Sequence, residues 1–305
     1  MGERPSEGFA DRLAALVEER RSQIVLGLDP DPSALWPDAV GAEPAHAKPD
    51  PGDVAARTAE AVARHCALAI EAAGPACVAV KPQLACFERL GAPGWSALEA
   101  TVRTAQAAGL LVIADGKRGD VPVTAKAYAQ ALVGETPGPF GPIPGLGADA
   151  FTANPLLGRD ALEPLTDTGA GCFVLVRTSN PGAAEIQDEP QGSPLHERLA
   201  TMVDELGRPT TADCGLSNVG AVTGATRPDL LQRLRDLMPN AIFLLPGVGA
   251  QGGNVHDLAP AFAKHPAGGL IAASRSIVGA HKQRGGDPAR AAAEAAEELR
   301  KAAWD

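Results

Sequence analysis

Eight short apolar segments recur along the chain, and each is followed by a longer stretch with helical periodicity. This alternation is typical of parallel strands joined by crossover helices that cover a buried sheet. Eight such units in 305 residues, without a long linker, predict one α/β domain over residues 1–305. We expect a (β/α)₈ TIM barrel with an extra N-terminal helix. A doubly wound open sheet remains the alternative, because alternation alone does not show that the sheet closes.

The predicted elements account for most of the chain. Strands are predicted at 24–28, 77–82, 110–114, 150–154, 172–176, 219–223, 241–245 and 268–273. Helices are predicted at 9–21, 53–73, 93–108, 123–133, 160–166, 195–206, 227–237, 255–262 and 287–303, with Asp53 as the N-cap of the second helix. The segments 31–52 and 136–147, which are rich in proline with alanine or glycine, are predicted to be irregular loops.

The composition excludes several classes of protein. Lys and Arg number 27 against 37 Asp and Glu, so the formal net charge is 27 − 37 = −10. This charge argues against general nucleic-acid binding, which needs a basic face. It still allows a small anionic ligand, which needs only a local positive pocket. No apolar run approaches the ~18 residues of a membrane span, and the N-terminus lacks the apolar core of a signal peptide. Five cysteines without a Cys-x-x-Cys pair indicate reduced thiols, so we expect a cytoplasmic protein.

Charged side chains stand where the first three predicted strands end. Asp29 follows the first strand, Lys81 ends the second, and Asp115 and Lys117 follow the third. Parallel-barrel enzymes carry their chemistry at these carboxyl ends, and strand alternation would point Asp115 and Lys117 the same way. Each position also has a structural interpretation. Asp29 could form a turn, Lys81 could reach back to solvent, and Asp115 and Lys117 could be an ion pair that closes a strand.

A glycine-rich loop follows the seventh predicted strand, and Arg275 follows the eighth. The run Gly247-Val-Gly249-Ala-Gln-Gly252 matches the Gly-x-Gly-x-x-Gly fingerprint of dinucleotide sites, but the acid expected ~20 positions later is missing. In (β/α)₈ barrels these two loops often hold a phosphate through backbone N–H groups, and an arginine supplies a fork of donors. We therefore predict a phosphate site. The alternative is a tight turn beside a surface arginine.

The end of the third strand also carries a family resemblance. Asp115-Gly-Lys117-Arg-Gly-Asp120, followed by Thr124, resembles the Asp-x-Lys-x-x-Asp signature of orotidine 5'-phosphate decarboxylases. Its Lys-Arg-Gly-Asp form resembles the bacterial type 2 subgroup of longer chains. Other segments resemble further motifs of that family, in the family's order: Leu26–Pro30, Val80–Glu88, Arg177–Gly182, Pro246–Gly253 and Ser274–Ile277. All of them stand at predicted strand ends, so the set is more specific than any one motif.

The resemblance implies an activity. The chain would convert orotidine 5'-phosphate to UMP, the last step of de novo pyrimidine nucleotide synthesis, without a cofactor or a metal ion. Lys117 would stabilise a carbanion at C6 of the pyrimidine and protonate it, and Asp115 would lie near the departing carboxylate. Lys81 would hold Asp115 and the ribose hydroxyls. Asp120 and Thr124 would reach into the site of the neighbouring subunit of a homodimer.

The resemblance also implies the binding contacts. Asp29 would contact the ribose, Ser179 would read the pyrimidine, and Gln251 would bridge base and phosphate. Gly252 and Arg275 would hold the phosphate. The expected partners are therefore orotidine 5'-phosphate, UMP and a second copy of the chain, and neither nucleic acid nor membrane.

Some positions depart from the family pattern, and two other functions remain open. Cys86 stands where a phenylalanine is expected, Leu156-Leu157 replace an aromatic residue, and 136–147 is a local insertion. One rival is a magnesium-dependent sugar-phosphate decarboxylase or aldolase that shares the Asp-x-Lys-x-x-Asp core, and the Ser179 loop argues against it. The other is a non-catalytic nucleotide-binding barrel, against which the intact charged residues argue.

Overall fold

Eight parallel strands close into a barrel in the computed structural model, which describes residues 8–41, 50–248 and 252–304. The barrel strands are β1 Ile24–Leu28, β2 Ala79–Pro82, β3 Leu111–Arg118, β6 Ala150–Ala153, β7 Gly171–Arg177, β8 Ser217–Thr223, β9 Ala241–Pro246 and β10 Gly269–Ala273, and a separate antiparallel pair comprises β4 Glu135–Thr136 and β5 Ile143–Pro144. The circular order is β1-β10-β9-β8-β7-β6-β3-β2. This closure confirms the (β/α)₈ barrel and excludes the open sheet.

One helix precedes the first barrel strand, and others follow the strands along the chain. They are α1 Phe9–Arg20, α2 Pro37–Val40, α3 Pro51–Ala73, α4 Leu84–Glu88, α5 Ala92–Ala107, α6 Pro122–Leu132, α7 Arg159–Thr166, α8 Ala184–Gln187, α9 Leu195–Gly207, α10 Pro228–Leu237, α11 Ala259–Phe262, α12 Arg275–Val278, α13 His281–Arg284 and α14 Pro288–Trp304. Among the described helices, none has both the length and the apolar character that a bilayer crossing requires.

The extra helix α1 covers the amino-terminal end of the barrel. Its Phe9 packs edge-on against Phe173 of β7, with ring centroids 6.0 Å apart, in the same buried cluster as the inward side chains of the strands. Arg12 pairs with Asp149 at 2.7 Å, immediately before β6. Because this end is covered, the opposite end, where the strands finish, is left for a ligand.

Apolar side chains form two layers because a barrel strand is covered on both faces. In β1, Ile24, Leu26 and Leu28 belong to the layer between the strands and the outer helices, whereas Val25 belongs to the inner cluster. Every residue of β1 is buried. This double burial explains why the strands appear in the sequence as continuous apolar runs rather than as alternating ones.

Several predicted boundaries were wrong. Helix α3 begins at Pro51, and its N-cap is Asp50, whose carboxylate accepts from the Gly52 N–H at 2.9 Å, not Asp53. Proline favours the first helical position because it lacks the N–H that has no partner there, so Pro51 carried a signal for this start. The predicted loop 136–147 contains part of the β4–β5 pair, and α2 lies within 31–52. The predicted helix 255–262 begins as a 3₁₀ turn and becomes α-helical only at Ala259.

Candidate active site

One carboxylate, Asp115, lies between two lysines at the carboxyl end of the barrel. Its Oδ2 accepts from Lys81 Nζ at 2.5 Å, and its Oδ1 accepts from Lys117 Nζ at 2.6 Å. The Asp115 side chain is only 6% exposed, whereas Lys117 is 41% exposed. Lys81, Asp115 and Lys117, three of the four strand-end charges predicted from sequence, therefore form one group, and Lys117 is its most exposed member.

Local backbone geometry brings Lys117 back towards Asp115. The register between β3 and β6 shifts, so that Ala114 faces Phe151 but Arg118 faces Ala153. Lys117 has φ = 49°, in the left-handed region that residues other than glycine rarely adopt. The Lys117–Asp115 contact thus lies at a bulge, and not in the regular strand alternation that the sequence predicted. Unusual backbone of this kind is often found at functional sites.

Two neutral side chains that sequence reasoning missed complete the carboxylate's contacts. Thr152 of β6 donates from Oγ1 to Asp115 Oδ1 at 2.9 Å and accepts from the Lys117 N–H at 2.9 Å. Gln83 Nε2 donates to Asp115 Oδ2 at 3.3 Å. Gln83 was part of a quoted motif and Thr152 was on a predicted strand, but only the pairing of β3 with β2 and with β6 shows what they touch.

Asp115 and Lys81 keep each other ionised. Burial raises the pKa of Asp115, but the neighbouring Lys81 and Lys117 lower it more, and the result is a pKa of about 2. For Lys81, burial lowers the pKa, while Asp115 and then Asp29 raise it, and the net direction is upward. Opposite charges at hydrogen-bond distance therefore outweigh the cost of burial for both groups.

Acid titration should show this coupling. Because the folded-state pKa of Asp115 lies below its usual 3.8, its ionisation stabilises the fold above pH 3.8, and this contribution is lost as the pH falls towards about 2. We expect the ¹³Cγ resonance of Asp115 to titrate near pH 2. Lys81→Met should move that midpoint upward, because one of the two ammonium groups is removed. An unchanged midpoint in Lys81→Met would contradict the role of Lys81.

The predicted phosphate site lies beside the Lys81–Asp115–Lys117 group. A cavity of about 110 Å³ is lined by Gly27, Asp29, Lys81, Gly247, Ser274 and Arg275, among others. A Cβ built on Gly27 would lie 2.7 Å from Ser274 Cβ, so glycine allows β1 and β10 to end close together. Within the described part of the chain, the guanidinium of Arg275 makes no hydrogen bond or ion pair, and the side chain is exposed. Arg275 is therefore available to an anion.

The glycine-rich loop is described only in part. Gln251 lies outside the described residues. Gly252 has φ = 89°, and the Gly253 N–H donates to the Gly247 carbonyl at 3.1 Å, so the two ends of the loop meet. Asp29 and Arg275 of the predicted binding set thus share one cavity with Lys81.

Asp120 and Thr124 do not join the Asp115 group within one chain. Asp120 Oδ1 accepts from the Val121 N–H at 2.7 Å, and among the described residues it forms no ion pair with Lys117. Thr124 is half-buried in the first turn of α6. The side chain of Ser179, at the end of β7, also makes no hydrogen bond to the Asp115 group.

Known proteins are similar in sequence to this chain over most of its length. The model of the family described as "Orotidine 5'-phosphate decarboxylase / HUMPS family" matches residues 22–295. The chain belongs to this family. The match includes all of the barrel strands.

Individual relatives agree with the family assignment. The chain is 40% identical over 284 residues to an orotidine 5'-phosphate decarboxylase of Rhodopirellula baltica, covering 90% of this chain and 89% of that protein. It is 38% identical over 300 residues to the enzyme of that name from Roseiflexus castenholzii, covering 96% of both. A crystal structure of a putative orotidine-monophosphate decarboxylase from Toxoplasma gondii superposes with a TM-score of 0.74 at 30% identity, covering 97% of this chain and 98% of that one.

Proposed function

We propose that this chain catalyses the decarboxylation of orotidine 5'-phosphate to UMP as a carboxy-lyase. The observation that carries the proposal is the buried Asp115 carboxylate between Lys81 and Lys117, at 2.5 and 2.6 Å. The family membership supports the same reaction. Relatives that are 40% and 38% identical over 284 and 300 residues carry this name, which favours it over the sugar-phosphate chemistry of the wider family.

The chemical problem is the electron pair left at C6. When the C6–carboxylate bond breaks, CO₂ leaves and the pair remains in an sp² orbital that the ring π-system cannot delocalise. Lys117 supplies a positive charge beside C6 and then transfers a proton to it. Asp115 stands near the substrate carboxylate and is held there by Lys81. Because the two lysines keep Asp115 ionised, its negative charge opposes that of the substrate carboxylate until CO₂ departs.

The rest of the substrate is bound away from the reacting carbon. Asp29 contacts the ribose, Ser179 reads the pyrimidine, and Gln251 bridges base and phosphate. Gly252 and Arg275 hold the phosphate, whose charge is complementary to an arginine fork. Binding energy from this remote group holds the pyrimidine in place at the Lys81–Asp115–Lys117 group.

A homodimer completes each site in this proposal. Asp120 and Thr124 reach the neighbouring site, where Asp120 lies beside the partner subunit's Lys117. Exposed apolar side chains near them support such an interface, since Val123 is 84% and Leu156 is 78% exposed. A monomer with this patch in water would expose apolar surface that a second copy can cover.

Subunit mixing tests the dimer. Asp120→Ala and Lys117→Ala should each be nearly inactive, but a heterodimer of the two contains one intact Lys117 facing one intact Asp120. Equal mixing after dissociation should therefore restore roughly a quarter of the wild-type sites. The measurement is the rate of orotidine 5'-phosphate conversion before and after mixing. An Asp120 that acts within its own chain would give no recovery.

The function itself is tested by the loss of orotidine 5'-phosphate absorbance with excess chelator present. We expect wild type to form UMP and Lys117→Ala to fail. The magnesium-dependent sugar-phosphate rival would lose its activity with chelator and would not convert this substrate. UMP binding without conversion would instead indicate a nucleotide-binding barrel.

A further inference from the structure

An ion pair between a buried arginine and a half-buried carboxylate stands beside the loop that contains Ser179. Arg177, the last residue of β7, is 5% exposed. Its Nε and Nη2 donate to the two oxygens of Asp188 at 2.7 and 3.0 Å. Asp188 lies eleven residues further along the chain, beyond the short helix α8. This bidentate contact therefore joins the two ends of the segment 177–188, which contains Ser179.

A second arginine joins the same carboxylate from the neighbouring strand connection. Arg227, which precedes α10, donates from Nη1 to Asp188 Oδ2 at 3.1 Å and pairs with Asp229. The hydrogen bond from Arg177 is the largest of several contacts that lower the pKa of Asp188. Asp188 thus joins the segments that follow β7 and β8, which are adjacent in the barrel.

The backbone immediately before Ser179 is held by the same segment. Arg177 Nη1 donates to the Thr178 carbonyl at 2.5 Å, and the Thr178 N–H donates to Gln187 Oε1 at 2.8 Å. His196 of α9 donates from Nδ1 to the Gln187 carbonyl at 2.7 Å. These contacts leave the peptide before Ser179 with little freedom to shift.

The connection after β8 supports Ser179 from the other side. The Gly224 N–H donates to the Arg177 carbonyl at 2.7 Å. A Cβ built on Gly224 would lie 2.8 Å from Ser179 Cα, so only glycine allows the two backbones to approach this closely. Thr226 Oγ1 lies 3.4 Å from the Ser179 carbonyl. None of these contacts uses the Ser179 hydroxyl, which is left for a ligand.

We propose that Asp188 is a positioning residue, which holds Arg177 and Arg227 so that Ser179 is presented to the pyrimidine of the substrate. This rests on the proposed function and extends it to a residue that touches no substrate. Without its carboxylate, the buried guanidinium of Arg177 has to find another acceptor. The Thr178 carbonyl and the peptide before Ser179 would then move with it. The specificity for the base should suffer, while the distant phosphate contact should not.

Binding of two ligands separates these effects. UMP carries both base and phosphate, whereas ribose 5-phosphate lacks the base. For Asp188→Asn, which keeps the shape and removes the charge, we expect the Kd of UMP to rise about tenfold. We expect the Kd of ribose 5-phosphate to change less than about twofold. The control is Asp204→Asn, which breaks the pair between Asp204 of α9 and Arg208 just after that helix and should change neither Kd.

A double-mutant cycle tests whether Asp188 acts through Ser179. Ser179→Ala should weaken UMP binding, and the Asp188→Asn/Ser179→Ala pair should bind UMP no more weakly than Ser179→Ala alone. Three results would each overturn the proposal. The first is a double variant whose loss of UMP affinity is the product of the two single losses. The others are an equal loss of affinity for UMP and ribose 5-phosphate in Asp188→Asn, and unchanged UMP binding in Ser179→Ala. If Asp188→Asn does not fold, Arg227→Ala removes the more exposed of the two arginines that bind Asp188. The Kd values of UMP and ribose 5-phosphate are then compared for that variant in the same way.

Turnover separates this inference from the function on which it rests. Wild type that binds UMP but does not convert orotidine 5'-phosphate would contradict the decarboxylase proposal, and the ligand cycle would still decide the role of Asp188. Wild type that binds no UMP would overturn both.

Discussion

Replacing Lys117 with alanine is expected to lower kcat for orotidine 5'-phosphate by at least about 10⁴-fold, since loss of a proton donor and loss of a charge beside the carbanion each cost orders of magnitude. The Kd of UMP should change by less than about tenfold, because the ammonium stabilises a charge that develops only in the transition state. Asp115 should remain in place, since Lys81 and Thr152 still hold it. Steady-state kinetics and a UMP titration measure the two quantities.

The matched control is Lys264→Ala, a lysine that is exposed on the surface and lies outside the site. It should leave both kcat and the UMP Kd unchanged. If Lys117→Ala lost binding and turnover in equal proportion, Lys117 would be a binding group and another proton donor would be needed.

Replacing Arg275 with alanine should have the opposite signature. We expect KM to rise by about 10²-fold or more, because truncating one partner of a charge pair with the phosphate removes several kcal/mol of binding. At saturating substrate, kcat should fall by less than about tenfold, since the Lys81–Asp115–Lys117 group is untouched. Substrate-dependence curves for wild type and variant give both parameters.

Arg103→Ala provides the comparison for this experiment, because Arg103 is exposed on α5 and lies outside the cavity that contains Arg275. Its KM should be that of wild type. A kcat for Arg275→Ala as low as that of Lys117→Ala, with KM unchanged, would show that Arg275 acts at the reacting carbon and not at the phosphate.

The two variants together test a division of the site. Rate should depend on the charge group at the ends of β2 and β3, and affinity should depend on the loops after β9 and β10. Asp29 borders both, because it lies in the cavity with Arg275 and also raises the pKa of Lys81. We therefore expect substitutions at Asp29 to affect both parameters, unlike those at Lys117 and Arg275.

Much of the fold could be predicted because a strand or a helix depends on a local pattern. The first strand was predicted with its observed bounds, and the seventh and eighth were each within one residue. Once the strands are placed, Asp29, Lys81 and Asp115 must come to the same end of the barrel, because parallel strands all finish there. The candidate site could therefore be located from sequence before any contact was known.

The sequence by itself determined the order of elements, the end of the barrel that carries the charges, and the family. Only the tertiary structure decided which atoms meet. The bulge at Lys117, the contacts of Thr152 with Asp115, and the Arg177–Asp188 pair all depend on register and on loop closure. Because a barrel strand is buried on both faces, its continuous apolar run does not specify its register with the neighbouring strands. The local pattern places a side chain on a strand, but its partner, 37 residues away for Asp115 and Thr152, is chosen by how the strands pack.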